Sequence, residues 1–308
     1  MTLLGVPSSA GARRTGQEGA PAALRAAGLV ERLRAKGLDV ADLGDQPSVV
    51  FRPDPAHPRR QNLDLVVDVA RRLADRVDRV LAGHTLADRA LPLVLGGDCT
   101  VTLGVVAGLL RHHERPGLLY CDADVDLETP ETTPSGVFDG MVLAHLLGRG
   151  EPRLAGIGPR RPMLSDEDVV LFGYNVDSGW VDPPELEALQ RSRLTRFPLS
   201  RLELGAAAAA REAVHILEAR SDAIVVHFDV DVMDFAAADV PHQGGLDPES
   251  ALAALKVFVA SPACAAVVVT EFNAERDPDG AHAGRLAGLL VDALGARSSP
   301  GGRRVPGA

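Results

Sequence analysis

The sequence predicts an α/β fold, a three-layer α/β/α sandwich around a central, mainly parallel sheet. Two observations carry this prediction. Short apolar segments alternate with helix-length segments along the 308 residues, and several of the apolar segments have no polar face. Strands in the middle of a parallel sheet are buried on both faces and are therefore apolar throughout. The alternation itself is typical of β-α-β units.

Seven segments have the length and composition of strands. They are residues 3–6, 38–43, 92–95, 117–121, 169–174, 223–228 and 265–270. Three longer segments predict helices at 21–37, 63–83 and 204–221. Pro21 suits the first turn of the first helix, and Gly37 suits its carboxyl-terminal cap. Because no repeat or linker divides the chain, we expect one domain over 1–296 and a flexible Gly-, Pro-, Ser- and Arg-rich tail at 297–308.

Charge and composition exclude several classes of partner. The net charge of −10 argues against a nucleic-acid surface and against a patch for anionic membranes. No apolar run approaches the length of a membrane span, and the first apolar run precedes the arginines, the reverse of a secretory signal. The three cysteines are a sparse, odd count that suggests reduced thiols. We therefore expect a cytoplasmic protein that binds a small molecule.

Acidic residues follow four of the predicted strands. The segments are LGGDCT (95–100), CDADVDLET (121–129), HFDVDVMD (227–234) and TEFN (270–273). Ligands of α/β sheets bind beyond the carboxyl ends of the strands, and alternate strand residues share a face, so each Asp-x-Asp pair can converge on one point. So many carboxylates repel unless cations neutralise them. The pattern predicts a divalent metal site that activates water for hydrolysis, and two such pairs make the alternative of helix caps and solvated loops less favoured.

Five motifs resemble those of the ureohydrolases, the arginase and agmatinase family. In chain order they are GGDC (96–99), DADVD (122–126), TPETTPSGVFDGM (129–141), FDVDVMD (228–234) and TEFNAERD (270–277). They resemble the family's GGDH, DAHxD, SGNxHGxP, SxDxDxxDP and ExNPxxD. The amino-terminal segment and VADLGD resemble the arginase branch in particular. The resemblance implies the arginase-like fold, hydrolysis of a linear amidine such as a guanidino compound, and a homo-oligomer, either a trimer or a hexamer.

The resemblance also implies two divalent metal ions, with Mn²⁺ preferred and Zn²⁺, Mg²⁺ or Ca²⁺ as alternatives. One ion would be held by Cys99, Asp122, Asp126 and Asp229. The other would be held by Asp122, Asp124, Asp229 and Asp231. The implied catalytic roles fall to Asp126, which would take up the proton of the attacking water, to Glu271, which would orient the guanidinium, and to Asp139, which would carry protons.

Three positions depart from the family motifs, because Cys99, Asp124 and Asp139 stand where the family has histidines. The replacements can still bind metals or carry protons, since a thiolate binds Zn²⁺ well, a carboxylate is a hard ligand, and a carboxyl group of raised pKa can act as a general acid. The replacements at the two ligand positions, Cys99 and Asp124, add up to two negative charges, which would strengthen cation binding but make a bound water less acidic. His242 lies on a loop that could border the pocket, but we interpret both His145 and His242, the histidines near these motifs, as ordinary surface or helix residues.

The resemblance places Glu128 and Ser135 where arginases bind the substrate α-carboxylate with an asparagine and a serine. Two facing carboxylates repel by roughly 1–4 kcal/mol, so Glu128 suits a cation such as the amine of agmatine. Asp177 matches a family acid that contacts the substrate amine. We therefore expect a guanidino substrate other than arginine. Two alternatives stay open: a catalytically impaired family member that acts as a binding or regulatory module, and a single-metal hydrolase of another C–N bond.

Overall fold

The computed structural model of the protein describes residues 1–83, 91–178, 181–202 and 204–298. Its strands are β1 Thr2–Gly5, β2 Ala41–Asp45, β3 Pro92–Leu95, β4 Pro116–Cys121, β5 Val169–Phe172, β6 Thr195–Phe197, β7 Ala223–Asp229 and β8 Cys264–Thr270. All eight form one parallel sheet, with the order β2-β1-β3-β8-β7-β4-β5-β6.

Helices cover both faces of this sheet. They are α1 Ala20–Ala26, α2 Leu29–Ala35, α3 Leu63–Ala82, α4 Val101–Leu109, α5 Val142–Leu146, α6 Pro152–Ala155, α7 Pro183–Arg191, α8 Leu199–Leu202, α9 Ala206–Glu218, α10 Pro248–Ala260 and α11 Ala281–Leu294. Neighbouring residues of β1 point to opposite faces, so Leu3 packs in a core with α1, α2, α9, α10 and α11, and Leu4 packs in a second core with α3, α4 and α5. The predicted three-layer sandwich is confirmed.

Seven of the eight strands lie where the sequence predicts them, and β6 is missed. β6 forms one edge of the sheet, and its first two residues, Thr195 and Arg196, are half-buried. An edge strand has only one neighbour to pair with and does not need an apolar run on both faces. The apolar pattern that identifies the inner strands is therefore absent from β6. None of the helices in the described ranges is long and apolar enough to cross a membrane.

The single helix predicted at 21–37 is wrong, because the segment forms α1 and α2 with a break at Gly28. Gly28 has a φ of 78°, a left-handed conformation that glycine adopts without steric cost. Pro21 does lie in the first turn of α1, as predicted. At the other end of the chain, Gly295–Ser298 forms a short 3₁₀ helix, and the rest of the predicted tail, 299–308, lies outside the described residues.

The sheet order brings the acidic segments together. β3, β8, β7 and β4 are successive neighbours, and the four acidic segments follow these four strands. Parallel strands end at the same edge of a sheet, so segments that are far apart in sequence share one place. The register also sets Tyr120 beside His227 and Asp229 beside Thr270.

Candidate metal centre

The first cluster at this edge consists of Cys99, Asp122, His227 and Asp229. All four are buried, and one potential ligand atom of each lies within 4.8 Å of the others. The Cys99 thiol donates to Asp229 Oδ2 at 2.8 Å. His227 Nε2 lies 3.7 Å from Cys99 Sγ and 3.6 Å from Asp122 Oδ2. A thiol, an imidazole and two carboxylates are the groups that bind divalent transition metals in proteins.

The second cluster consists of Asp124, Asp231 and His242, whose potential ligand atoms also lie within 4.8 Å of one another. His242 Nε2 lies 3.4 Å from Asp231 Oδ2 and 3.7 Å from Asp124 Oδ2. Asp124 Oδ1 is buried and has no hydrogen-bond partner. A buried carboxylate oxygen without a partner is costly, and a cation would satisfy it.

Backbone geometry fixes the acids in both clusters. Asp122 Oδ1 accepts the N–H of Asp124 at 2.7 Å, and Asp229 Oδ1 accepts the N–H of Asp231 at 2.8 Å. Each Asp-x-Asp pair therefore forms a tight turn in which the first side chain holds the backbone of the second. Asp126 and Glu271 have φ values of 48° and 64°, a conformation that residues other than glycine adopt at some energetic cost.

The mutual burial of the acids changes their protonation. Burial is the largest cause that raises the pKa of Asp122, Asp126, Asp229 and Glu271 well above the ordinary value, and neighbouring carboxylates raise it further. Burial and the same acids also raise the pKa of the Cys99 thiol. A divalent cation stabilises the anionic forms of all these groups. The donor set, with its unpartnered Asp124 oxygen, therefore fits the divalent metals that the sequence predicts.

Asp126 and Glu271 face the same space but belong to neither cluster. The Tyr120 hydroxyl donates to Asp126 Oδ2. Gln17 Nε2 donates to Glu271 Oε2, and the Cys99 N–H donates to Glu271 Oε1 at 2.9 Å. Both carboxylates are thus held in fixed orientations by neutral donors. The expectation that Asp126 ligates a metal stays a prediction.

All predicted metal-ligating and catalytic residues line one narrow cavity of about 50 Å³. They are Cys99, Asp122, Asp124, Asp126, Asp139, Asp229, Asp231 and Glu271. This volume is on the order of one to two water molecules, which suits small ions and the reacting end of a substrate. Arg13 also lines the cavity. Burial raises the pKa of Asp139 to about 8, and the opposing charge of Arg13 limits the shift.

The three predicted substrate-binding residues lie outside this lining. Glu128 is buried behind Gly140, where its N–H donates to the Gly140 carbonyl at 3.1 Å and its Oε2 has no hydrogen-bond partner. Ser135 Oγ lies 3.2 Å from Thr133 Oγ1. Asp177 is exposed, in a 3₁₀ turn at Val176–Ser178. The structure therefore brings Glu128 close to the cavity and leaves Asp177 at the surface.

Comparison with known proteins decides the family. The model of the arginase family matches residues 1–295. The chain belongs to the arginase family. The arginase of Bacillus caldovelox is 32% identical over 301 residues, which cover 94% of this chain and 97% of that enzyme. The crystal structure of the arginase from Bacillus cereus has a TM-score of 0.84 and 28% identity, and covers 95% of this chain and 97% of that one.

Wider relatives share the fold. Proclavaminate amidino hydrolase from Streptomyces clavuligerus has a TM-score of 0.70 at 18% identity, and covers 96% of this chain and 91% of its own. Membership of the arginase family confirms the resemblance that the five motifs suggest. It supports a hydrolase that acts on guanidino compounds, and it implies a divalent metal, for which the two clusters are candidate sites.

Two histidines of this arginase-family site are the main correction to the sequence analysis. The interpretation of His242 as a surface or helix residue is wrong, because His242 is buried in a loop against two carboxylates. His227 was overlooked. The sequence does indicate His227, because this residue precedes Asp229 by two positions in an apolar strand and therefore shares a face of the strand with Asp229. Glu185, another overlooked acid, is buried and accepts the Leu127 N–H at 2.8 Å.

His145 lies in α5, as the helix interpretation predicts, and is fully buried. Its Nδ1 contacts the Met141 carbonyl at 2.6 Å, and its Nε2 accepts the Glu151 N–H at 3.0 Å. This pattern requires a neutral ring with the hydrogen on Nδ1. Burial accordingly lowers the pKa of His145 from 6.5 to about 4.

We expect His145 to make the protein less stable in acid. Below pH 6.5 the unfolded chain takes up a proton at this position, whereas the folded chain does so only near pH 4. The loss of stability over that window is on the order of 3 kcal/mol. Denaturant unfolding of His145→Gln at pH 7 and pH 4.5 should show a smaller acid loss than the wild type. Equal losses would contradict this account, and His215→Gln, at an exposed position of α9, is the control.

Proposed function

We propose that the protein hydrolyses a guanidino compound that carries a free amine, of the agmatine type, and releases urea. The observation that carries the proposal is the cavity in which an arginase-family chain brings together Cys99 and seven acids, four of which share the two clusters with His227 and His242. Among the described residues we find no feature that favours the alternative of a binding or regulatory module. The cytoplasmic setting and the trimer or hexamer stay predictions.

The metal ions would be held at the two clusters. In this assignment Cys99 serves the first ion, Asp124 and Asp231 serve the second, and Asp122 and Asp229 serve both. When bound, divalent metals neutralise the carboxylates and lower the pKa of water enough for it to act as a nucleophile near neutral pH. Mn²⁺ suits the oxygen-rich second cluster, whereas the thiol of the first cluster also suits Zn²⁺.

Three acids of the chain would handle protons and orientation. Asp126, held by the Tyr120 hydroxyl, faces the cavity and can accept the proton that the attacking water loses. Asp139, with its pKa of about 8, is largely protonated near neutral pH and can give a proton to the amine that leaves the guanidinium carbon. Glu271, fixed by Gln17 and the Cys99 N–H, can orient the guanidinium.

Glu128 favours a substrate whose far end carries a positively charged amine. Its carboxylate is buried, its Oε2 has no hydrogen-bond partner, and burial raises its pKa. An amine of the substrate would pair with this oxygen, whereas the α-carboxylate of arginine would meet a like charge. Arg13 favours a second candidate, because an exposed guanidinium at the cavity lining would suit a guanidino carboxylic acid without an amine.

Urea release separates these substrates. We expect the wild type, loaded with Mn²⁺, to hydrolyse agmatine with a higher kcat/KM than arginine or 4-guanidinobutyrate. Glu128→Gln should reduce the preference for agmatine over arginine by about tenfold or more, which corresponds to ~1.4 kcal/mol. Glu131→Gln, the matched control at an exposed position outside the cavity lining, should leave that preference unchanged. Faster urea release from arginine would refute the role of Glu128, and fastest release from 4-guanidinobutyrate would favour the second candidate.

A further inference from the structure

We propose that His227 and His242 are metal ligands and replace the two imidazoles that Cys99 and Asp124 have displaced from the family motifs. The inference rests on the proposed function only in taking metal ions to be present. The displaced histidines and their replacements come from different parts of the chain. Position 99 follows β3 and position 124 follows β4, whereas His227 lies within β7 and His242 lies in the loop after it.

Neighbouring side chains fix the orientation of the His227 ring, as a metal ligand requires. Tyr120 stacks on it with the ring centres 4.0 Å apart and an interplanar angle of 4°. Its Nδ1 lies 2.7 Å from Thr102 Oγ1 at the start of α4. Histidines that bind metals usually donate the other ring N–H to a neighbouring acceptor, and the Thr102 hydroxyl oxygen can accept it. With the hydrogen on Nδ1, the lone pair of Nε2 faces Cys99 and Asp122.

The distances around His227 match the separations between ligand atoms of one ion. Nε2 is 3.6 Å from Asp122 Oδ2 and 3.7 Å from Cys99 Sγ. The first distance is too long for an ordinary N–H···O hydrogen bond. Bond lengths of about 2.0 Å to nitrogen or oxygen and about 2.3 Å to sulfur place the ligand atoms of a tetrahedral zinc roughly 3.3–3.6 Å apart.

His242 stands in the same relation to the second cluster. Its Nε2 is 3.4 Å from Asp231 Oδ2 and 3.7 Å from Asp124 Oδ2, again close to the separation of two ligands of one ion. Asp124, which occupies a family histidine position, is thus brought against a histidine from another loop. Its unpartnered Oδ1 provides a further oxygen. Each cluster would then contain one imidazole, together with sulfur and oxygen ligands in the first and oxygen ligands alone in the second.

Metal content tests both assignments independently of catalysis. Metal-free protein would be loaded with Zn²⁺ or with Mn²⁺, desalted and measured by elemental analysis. We expect about two ions per chain in the wild type and in His215→Gln. His227→Gln and His242→Gln should each lose about one ion, with affinity for it at least ~100-fold weaker, since removal of an outer hydrogen-bond partner alone costs about 10–100-fold. Wild-type content and affinity in both variants would overturn the proposal.

If the buried His227 variant does not fold, X-ray absorption of the zinc-loaded wild type still tests whether imidazole and sulfur bind the metal. The spectrum should contain imidazole scattering and a sulfur shell, and His242→Gln should retain the sulfur shell while losing part of the imidazole signal. A spectrum without imidazole would refute the ligand assignment. Imidazole-bound metal without urea release from any guanidine would leave the ligands standing and refute the proposed function. Urea release with unchanged metal content in both variants would support the proposed function and refute the ligand assignment.

Discussion

Replacement of Asp229 by asparagine should abolish metal binding and lower kcat/KM by at least about 10³-fold, equivalent to ~4 kcal/mol. Asp229 lies at the junction of the two clusters, because its Oδ2 accepts the Cys99 thiol and its Oδ1 accepts the Asp231 N–H. The resemblance makes it a ligand of both ions. A neutral amide removes the anionic oxygen that both ions would share while keeping the shape of the side chain.

Two measurements distinguish this effect from unfolding. The metal-free variant should unfold at the same temperature as the metal-free wild type or at a higher one, because an amide in this crowded acidic site relieves repulsion between carboxylates. Asp234→Asn, at an exposed position five residues farther along the same segment, should keep both metal content and activity. Undiminished metal content in Asp229→Asn would disprove the ligand assignment.

Replacement of Asp139 by asparagine should have the second-largest effect, a loss of about 10²–10⁴-fold in kcat with unchanged metal content. Asp139 faces the cavity and its pKa is raised to about 8, so it carries a proton near neutral pH that asparagine cannot supply. Its Oδ1 accepts the N–H of the adjacent Gly140 at 2.9 Å, and asparagine can preserve that bond. The substitution therefore removes the proton and little else.

Asp139→His is the matched variant, because histidine also transfers protons near neutral pH and is the residue that the family motif has at this position. It should recover a substantial part of the activity that Asp139→Asn loses. Single-turnover urea release would be measured for both variants with metal content determined in parallel. Full activity of Asp139→Asn would exclude a proton-transfer role for this residue.

The carboxylates of the site were predictable from sequence because they lie next to apolar strands in the chain. Asp122 and Asp229 immediately follow apolar strands, and the parallel sheet brings the ends of such strands to one edge. The segment at 21–37 was predictable as helical but not as two helices, since a single glycine does not reveal its conformation. The edge strand β6 lacked the apolar pattern altogether.

The histidines show where sequence reasoning stops. His227 could have been identified because it lies two residues before Asp229 in β7 and so shares a face with it. Its contact with Cys99, at 3.7 Å, is seen only in the structure. For His242 the sequence indicates only that its loop could border the pocket, because its place depends on how that loop folds back over the ends of the strands. The family motifs identify only the positions where the histidines are missing. Only the three-dimensional arrangement reveals that two other histidines lie against the residues that replaced them.

The central claim is that this arginase-family chain keeps a two-metal hydrolytic site despite losing the motif histidines. Elemental analysis of purified protein, before and after loading with Mn²⁺ or Zn²⁺, tests it most directly. The account predicts about two divalent ions per chain after loading, with urea release from agmatine that depends on them. Protein that stays metal-free after exposure to both cations would contradict it.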